Sequence, residues 1–129
     1  MPGSAWPAEV LARRRGERDV LLSTARAYVD ALAGTLDLVG AAVIGSVARG
    51  DFNVWSDIDV LVVAHDLPPR YLDRAALLTS APAPRVQAFA FTPKELAEAQ
   101  ARRDPRAIEL LESGVFLAGE RDVRALLRA

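Results

Sequence analysis

The chain has 129 residues, 51% of them apolar and 26% charged, with a formal net charge of −1 and no cysteine. That size suits one domain with one core, the near-neutral balance provides no global field to recruit nucleic acid, and the lack of thiols excludes a disulfide framework or a thiolate metal site. The apolar stretches are too short to span a membrane, and Met1-Pro2-Gly3-Ser4 with Trp6 and Pro7 lacks the basic-then-apolar form of a signal peptide, so the expected setting is the cytoplasm.

Residues 7–34 read as a helix or a broken pair. Val10, Leu11, Val20, Leu21, Leu22, Ala25, Tyr28, Val29 and Leu32 recur near helical spacing, Gly16 marks a bend and Gly34 a stop. Arg13, Arg14, Arg15 and Arg18 interleave with Glu9, Glu17 and Asp19, a pattern that favours a solvated helix face over an RNA contact. Residues 38–44 form the first expected strand and 58–64 the second, with His65 at its end. Pro68-Pro69 opens a helix to about Ser80, with Leu72, Ala75, Ala76 and Leu78 turned inward. The Ala81-Pro82-Ala83-Pro84 stretch is a loop. Residues 86–91 form a third strand, on which Gln87, Phe89 and Phe91 share one face. Thr92-Pro93-Lys94-Glu95 begins a helix with a capping box. Asp104-Pro105 begins another that runs through Glu112 and ends at Gly114, and 120–127 is a final short helix.

The segment from Gly45 to Asp59 carries the chemistry. Gly45 and Ser46 end the first apolar run, and Asp57 and Asp59 open the second. Apolar packing does not explain two acids at the head of a core strand. Alternation puts both carboxylates on one face, with Cα atoms ~6.6 Å apart. They repel unless a cation sits between them. Mg²⁺ takes oxygen ligands and commonly completes its shell with substrate phosphates. Gly45 and Ser46 would start a short helix whose free N–H groups face an anion. Arg49 returns to the same side one turn later and can meet phosphate oxygens with its fork. Phe52 and Trp55 flank this segment, where anchoring the loop in the core is favoured over stacking on a base. Ser56 caps the turn, and Asp51 and Asn53 form it.

Gly45-Ser46, ten intervening residues and Asp57-x-Asp59 resemble the signature of the nucleotidyltransferase superfamily related to DNA polymerase β. Ala48-Arg49-Gly50-Asp51 and Asp57-Ile58-Asp59-Val60-Leu61-Val62-Val63 are similar to its minimal prokaryotic branch, the MNT domains. The run Glu109-Leu110-Leu111-Glu112-Ser113-Gly114-Val115-Phe116-Leu117 is similar to their C-terminal helix and glycine–apolar exit.

The resemblance implies an α/β (α+β) fold, a small mixed sheet of three to four strands packed by helices. It implies one domain over 1–129, with an N-terminal helix at 7–34, a catalytic core at 38–92 and C-terminal helices at 93–128. The activity implied is Mg²⁺- or Mn²⁺-dependent transfer of a nucleoside monophosphate from ATP or another NTP to a hydroxyl. Asp57 and Asp59 would be the catalytic, metal-holding pair, and Gly45, Ser46 and Arg49 the phosphate-binding set. The acceptor implied is a tyrosine of a partner protein, as in pairs with a HEPN-type toxin, where the MNT member AMPylates and silences an RNase toxin. The apolar helices would serve such a partner or a homodimer.

The family's third carboxylate, expected on the strand beside Asp57-x-Asp59, is absent. No Asp or Glu occurs between Asp73 and Glu95, and Gln87 stands where that acid belongs. An amide cannot serve as general base. The alternatives are therefore an enzyme, with a distant acid in that role, and a nucleotide- or partner-binding module that has lost catalysis.

Overall fold

The apolar runs of the second and first expected strands have no polar face, which requires burial on both sides. In the computed structural model, which describes residues 6–127, both lie inside a four-stranded sheet with the order β3-β2-β1-β4. The elements in chain order are α1 (Ala8–Ala33), β1 (Asp37–Ile44), α2 (Gly45–Arg49), β2 (Ile58–His65), α3 (Tyr71–Leu78), β3 (Val86–Phe91), α4 (Pro93–Ala101), α5 (Pro105–Ser113), β4 (Val115–Ala118) and α6 (Glu120–Leu126). The sheet is mixed as expected, since β1 runs antiparallel to both β2 and β4, while β2 and β3 are parallel. Residues 1–5 and 128–129, within the expected span, lie outside the described residues.

Alternation along β1 and β2 divides the core in two. Ala41, Val43, Ile58, Val60 and Val62 face α1, where Leu21, Ala25, Tyr28, Val29 and Leu32 are buried. Ala42, Ile44, Leu61 and Val63 face the other way, toward Leu96, Ala99, Ala107, Leu110 and Val123 of α4, α5 and α6. Asp57 and Asp59 have the same parity as Leu61, so they belong to this second face, at the sheet end where α5 lies.

Three expectations change. Gly16 does not break α1, which runs unbroken, and its N-terminal half leaves Leu11 and Val20 exposed because the sheet lies only under its C-terminal half. Leu72 is 77% exposed, so α3 buries Leu78 and leaves its N-terminal half outside. The stretch after Gly114 is a strand where only an exit from a helix was expected, because β1 has an open edge that Val115–Ala118 fills. By contrast, the capping box is formed, with Glu95 N–H donating to Thr92 Oγ1 (3.1 Å) and Thr92 N–H donating to Glu95 Oε1 (2.9 Å).

One polar contact ties α1 to α3 across the core. The buried Tyr28 hydroxyl donates to the Leu78 C=O at 2.6 Å, and burial pushes its proton affinity up to about 12. Tyr28→Phe should cost about 1–3 kcal/mol by stranding that carbonyl. The folded phenol binds its proton more tightly than the unfolded one. This contribution is therefore complete below pH 10 and disappears as pH rises toward 12. Denaturant midpoints at pH 8 and pH 11.5 should converge between wild type and variant.

Candidate active site

The turn from β1 into α2 is built around one glycine. Gly45 is buried with φ +74°, a conformation disfavoured for residues with a Cβ, and a Cβ placed there would lie 2.6 Å from Asp59 Oδ2. The close approach is fixed by register, because Ile44 at the end of β1 pairs with Asp59 in β2. Glycine at 45 thus creates the space that Asp59 occupies. Gly50, with φ +92°, closes α2 by donating its N–H to Ser46 C=O (2.8 Å).

Asp57 is exposed just before β2, and Asp59 is half-buried one pleat further in. Burial raises the proton affinity of Asp59 above the ordinary carboxylate range; the charges of Asp57 and Glu109 add to this, and Arg106 and Arg49 oppose it. An anion held in this way is underneutralised and suited to a cation. Among the described residues no three acid, histidine or cysteine side chains converge on one point. Two carboxylates on one face are the oxygen donors that Mg²⁺ takes, an ion that commonly draws its remaining ligands from water and phosphate.

Gln87 pairs with Asp59 across the parallel β2–β3 ladder. Paired residues on neighbouring strands share a face, so the amide stands beside the aspartate, where the missing acid was expected. Arg49 is exposed, as a phosphate ligand must be, but it is engaged. Its Nη1 donates to Glu109 Oε1 (2.5 Å) and its Nε donates to Asp51 Oδ2 (3.3 Å). Ser46 is half-buried at the start of α2.

Two residues of α5 escaped the sequence reading. Glu109 reaches Arg49, and its charge is felt at Asp59. Arg106 lies with its guanidinium 4.0 Å above the Phe89 ring, and its charge is felt there too. The available signal was their spacing of three on a helix, which puts both on one face. Nothing local said that this face would meet the Gly45–Asp59 segment some 50 residues earlier. Glu109 is thus an acid at the edge of the site, held by Arg49, and among the described residues it does not converge with Asp57 and Asp59 on one point.

The loop between α2 and β2 is pinned from below. Arg14 Nη2 donates to Gly50 C=O (3.2 Å) and Phe52 C=O (2.7 Å), and its guanidinium lies over the Phe52 ring. Arg18 Nε and Nη2 donate to the Val47 and Ala48 carbonyls at 2.9 and 2.6 Å. The solvated-face reading of this arginine cluster is therefore corrected for Arg18, which caps carbonyls of α2, and for Arg14, which holds the carbonyls just beyond it. Within the loop, Trp55 N–H donates to Asn53 Oδ1 (2.8 Å), Asn53 N–H donates to Ser56 Oγ (2.9 Å), and Arg85 holds the Ser56 carbonyl. Phe52 is buried, whereas Trp55 is 88% exposed, so only Phe52 anchors the loop. Arg18→Ala should lower stability by about 1–2 kcal/mol, the worth of charge-assisted bonds to part-exposed carbonyls. Amide exchange in residues 45–57 should quicken well before the β2 core opens.

The sequence model of the nucleotidyltransferase domain matches residues 22–115. Over 42 residues the chain is 45% identical to a Methanocaldococcus jannaschii protein provisionally named a protein adenylyltransferase, a match that covers 33% of this chain and 29% of that protein. A Sulfolobus solfataricus protein solved as a provisionally assigned nucleotidyltransferase superposes with a TM-score of 0.60 at 22% identity, over 80% of this chain and 84% of that one. A chain of a toxin–antitoxin structure solved with AMP-PNP superposes with a TM-score of 0.56 at 19% identity, over 79% and 80% of the two chains. At those identities the two structures speak for the fold. No helix among the described residues is long and apolar enough to cross a membrane.

Proposed function

The chain belongs to the nucleotidyltransferase domain family, and on that premise we propose that it transfers AMP from ATP to a hydroxyl of a protein acceptor. The observation that carries this reading is the Asp57–Asp59 pair beside Gly45, with Asp59 held as a poorly neutralised anion. A bound Mg²⁺ or Mn²⁺ would supply charge neutralisation between these carboxylates and the phosphate oxygens.

In this reading the acceptor oxygen attacks the α-phosphorus and forms the new P–O bond. The bond from the α-phosphorus to its bridging oxygen breaks, pyrophosphate leaves with that electron pair, and the hydroxyl proton is lost to water. Such displacements run in line, so acceptor and leaving group stand on opposite sides of the reacting phosphorus. The sheet provides two such sides. Gly45, Ser46 and Arg49 lie on the β1 side of Asp59, where the β- and γ-phosphates would rest, and Gln87 lies on the β3 side. Arg49 would have to leave Glu109 and Asp51 to meet the pyrophosphate, and Arg106, whose charge is felt at Asp59, would add a second cation for the phosphates. Most of the rate would come from positioning and charge neutralisation.

A protein acceptor is supported by the name of the M. jannaschii relative and a partner toxin by the toxin–antitoxin neighbour solved with AMP-PNP; the acceptor hydroxyl proposed is a tyrosine of such a toxin. ATP as the donor is in keeping with the cytoplasmic setting expected for this chain. Incubation with α-labelled ATP, Mg²⁺ or Mn²⁺ and lysate of its source tests the proposal, with Asp57→Asn/Asp59→Asn as the blank. A labelled protein band that vanishes with the double variant is expected. Gln87 beside Asp59 favours a second reading, a module that binds nucleotide without transferring it. Under that reading calorimetry would detect ATP–Mg²⁺ binding while no band is labelled, and Gln87→Asp would be the substitution that restores label.

A further inference from the structure

Strand β3 is an edge strand, and its outer backbone groups can be assigned individually. Ile58 N–H donates to Arg85 C=O (2.8 Å), which turns the odd-numbered residues of β3 toward β2 and the even-numbered ones outward. Of the outward groups, Val86 N–H closes a turn onto Ala83 C=O (2.9 Å), and Ala90 C=O accepts from Arg74 Nη1 (3.3 Å). Among the described residues, nothing pairs with Val86 C=O, with either backbone group of Ala88, or with Ala90 N–H. These groups line an open groove of about 970 Å³ between β3, α3 and the Pro82–Pro84 loop, and the groove reaches Gln87.

We propose that this edge docks an extended polypeptide segment, which adds as a strand beside β3 and carries the acceptor hydroxyl to Gln87. The docking rests on the transfer reading only for the fate of the hydroxyl. Four backbone groups in a row, alternating donor and acceptor at strand spacing, match another extended main chain and little else. The groove's cations are Arg74, which is spent on Ala90 and Glu95, and Arg106, so the groove offers no row of positive charge for a nucleic-acid backbone. Its wall of α3 and Pro82–Pro84 stands beside the edge, a cover of the kind that hinders edge-to-edge pairing with a second sheet. The position also agrees with the chemistry, because the in-line approach opposite α2 is the β3 side. Val86–Phe91 is about 20 Å long at ordinary strand rise, room for six residues of a partner.

Ten-residue peptides randomised around a fixed central tyrosine can be selected on the immobilised full-length protein, and the best binder synthesised. Its addition should slow amide exchange at Ala88 and Ala90 at least tenfold. Methylation of every second peptide nitrogen should weaken binding at least tenfold in one register and leave it unchanged in the other. Ala88→Pro should weaken peptide binding at least tenfold while ATP–Mg²⁺ binding is kept; if that variant does not fold, the exchange and methylation results decide. Selection without a binder, protection away from β3, or equal sensitivity of both registers would overturn the docking. So would slow exchange at Ala88 in the free protein that grows with concentration alongside a dimer in sedimentation, which would assign the edge to a second copy. Edge-dependent binding of a peptide that never takes label from α-labelled ATP would leave docking standing and remove the transfer reading. Label insensitive to Ala88→Pro and to both methylation registers would do the reverse.

Discussion

Asp59→Asn should abolish nucleotidyl transfer and, in the absence of divalent metal, make the protein more stable. Loss of even an outer partner of a metal site commonly costs 10–100-fold, so removing a carboxylate that would touch the ion should cost at least about a hundredfold. The stability change has the opposite sign to that of most core substitutions. Burial first, and then the charges of Asp57 and Glu109, raise the proton affinity of Asp59 in the folded state. The folded chain therefore holds that proton more tightly than the unfolded chain, and stability falls as pH rises from the ordinary carboxylate range through the raised value. Above that window the anionic form carries its full penalty, which the amide does not. Melting curves in EDTA should thus show the variant gaining on wild type from pH 4 to pH 7. Comparing the two proteins removes the opposing slope from Glu95, whose proton affinity Arg74 lowers. Millimolar Mg²⁺ should raise the wild-type Tm and leave the variant unmoved. An aspartate that was merely structural would melt lower as asparagine at every pH.

The parts of this molecule that could be read from the sequence are those governed by local rules. The β2 strand was visible as an apolar run with an acidic head, β3 from its bounds to the face of Gln87, and α4 from its capping box, because alternation and capping act over a few residues. The pairing of Gln87 with Asp59 required only that two parallel strands begin level. What escaped depends on contacts between distant segments. β4 is four residues long, and its reason to be a strand is the open edge of β1. Leu72 and Ala76 have the inward spacing of a helix face, yet both are exposed, and α3 buries only Leu78. Arg14 and Arg18 look like solvated charge when read alone, and only the meeting of α1 with α2 turns them into caps for Val47, Ala48 and Gly50. Glu109 and Arg106 are the most consequential case. A helix that follows the expected catalytic core carries the acid that holds Arg49 and a cation near Asp59, so the site is made of α5 as well as of the segment that signals it.

Gly45→Ala and Gly50→Ala should be equal in stability and opposite in function. Both glycines have positive φ, +74° and +92°, in α2 and directly after it. A Cβ in that region costs roughly 1–2 kcal/mol, which corresponds to a Tm lower by roughly 4–7 °C for a domain of this size. The surroundings then separate them. At Gly50 a Cβ meets nothing within 4 Å, whereas at Gly45 it lies 2.6 Å from Asp59 Oδ2. The clash itself is cheap to relieve, because a carboxylate can rotate, and so it should add little to the loss of stability. Rotation is what the site cannot absorb: a displacement of about 1 Å at the reacting centre can cost a hundredfold in rate. Gly50→Ala should keep transfer within a few-fold of wild type once assayed below its Tm. Gly45→Ala should lose transfer by about a hundredfold at the same temperature and bind Mg²⁺ more weakly by calorimetry. Equal loss in both would place the importance of the turn in its stability, and the close approach of Gly45 to Asp59 would then have no catalytic meaning.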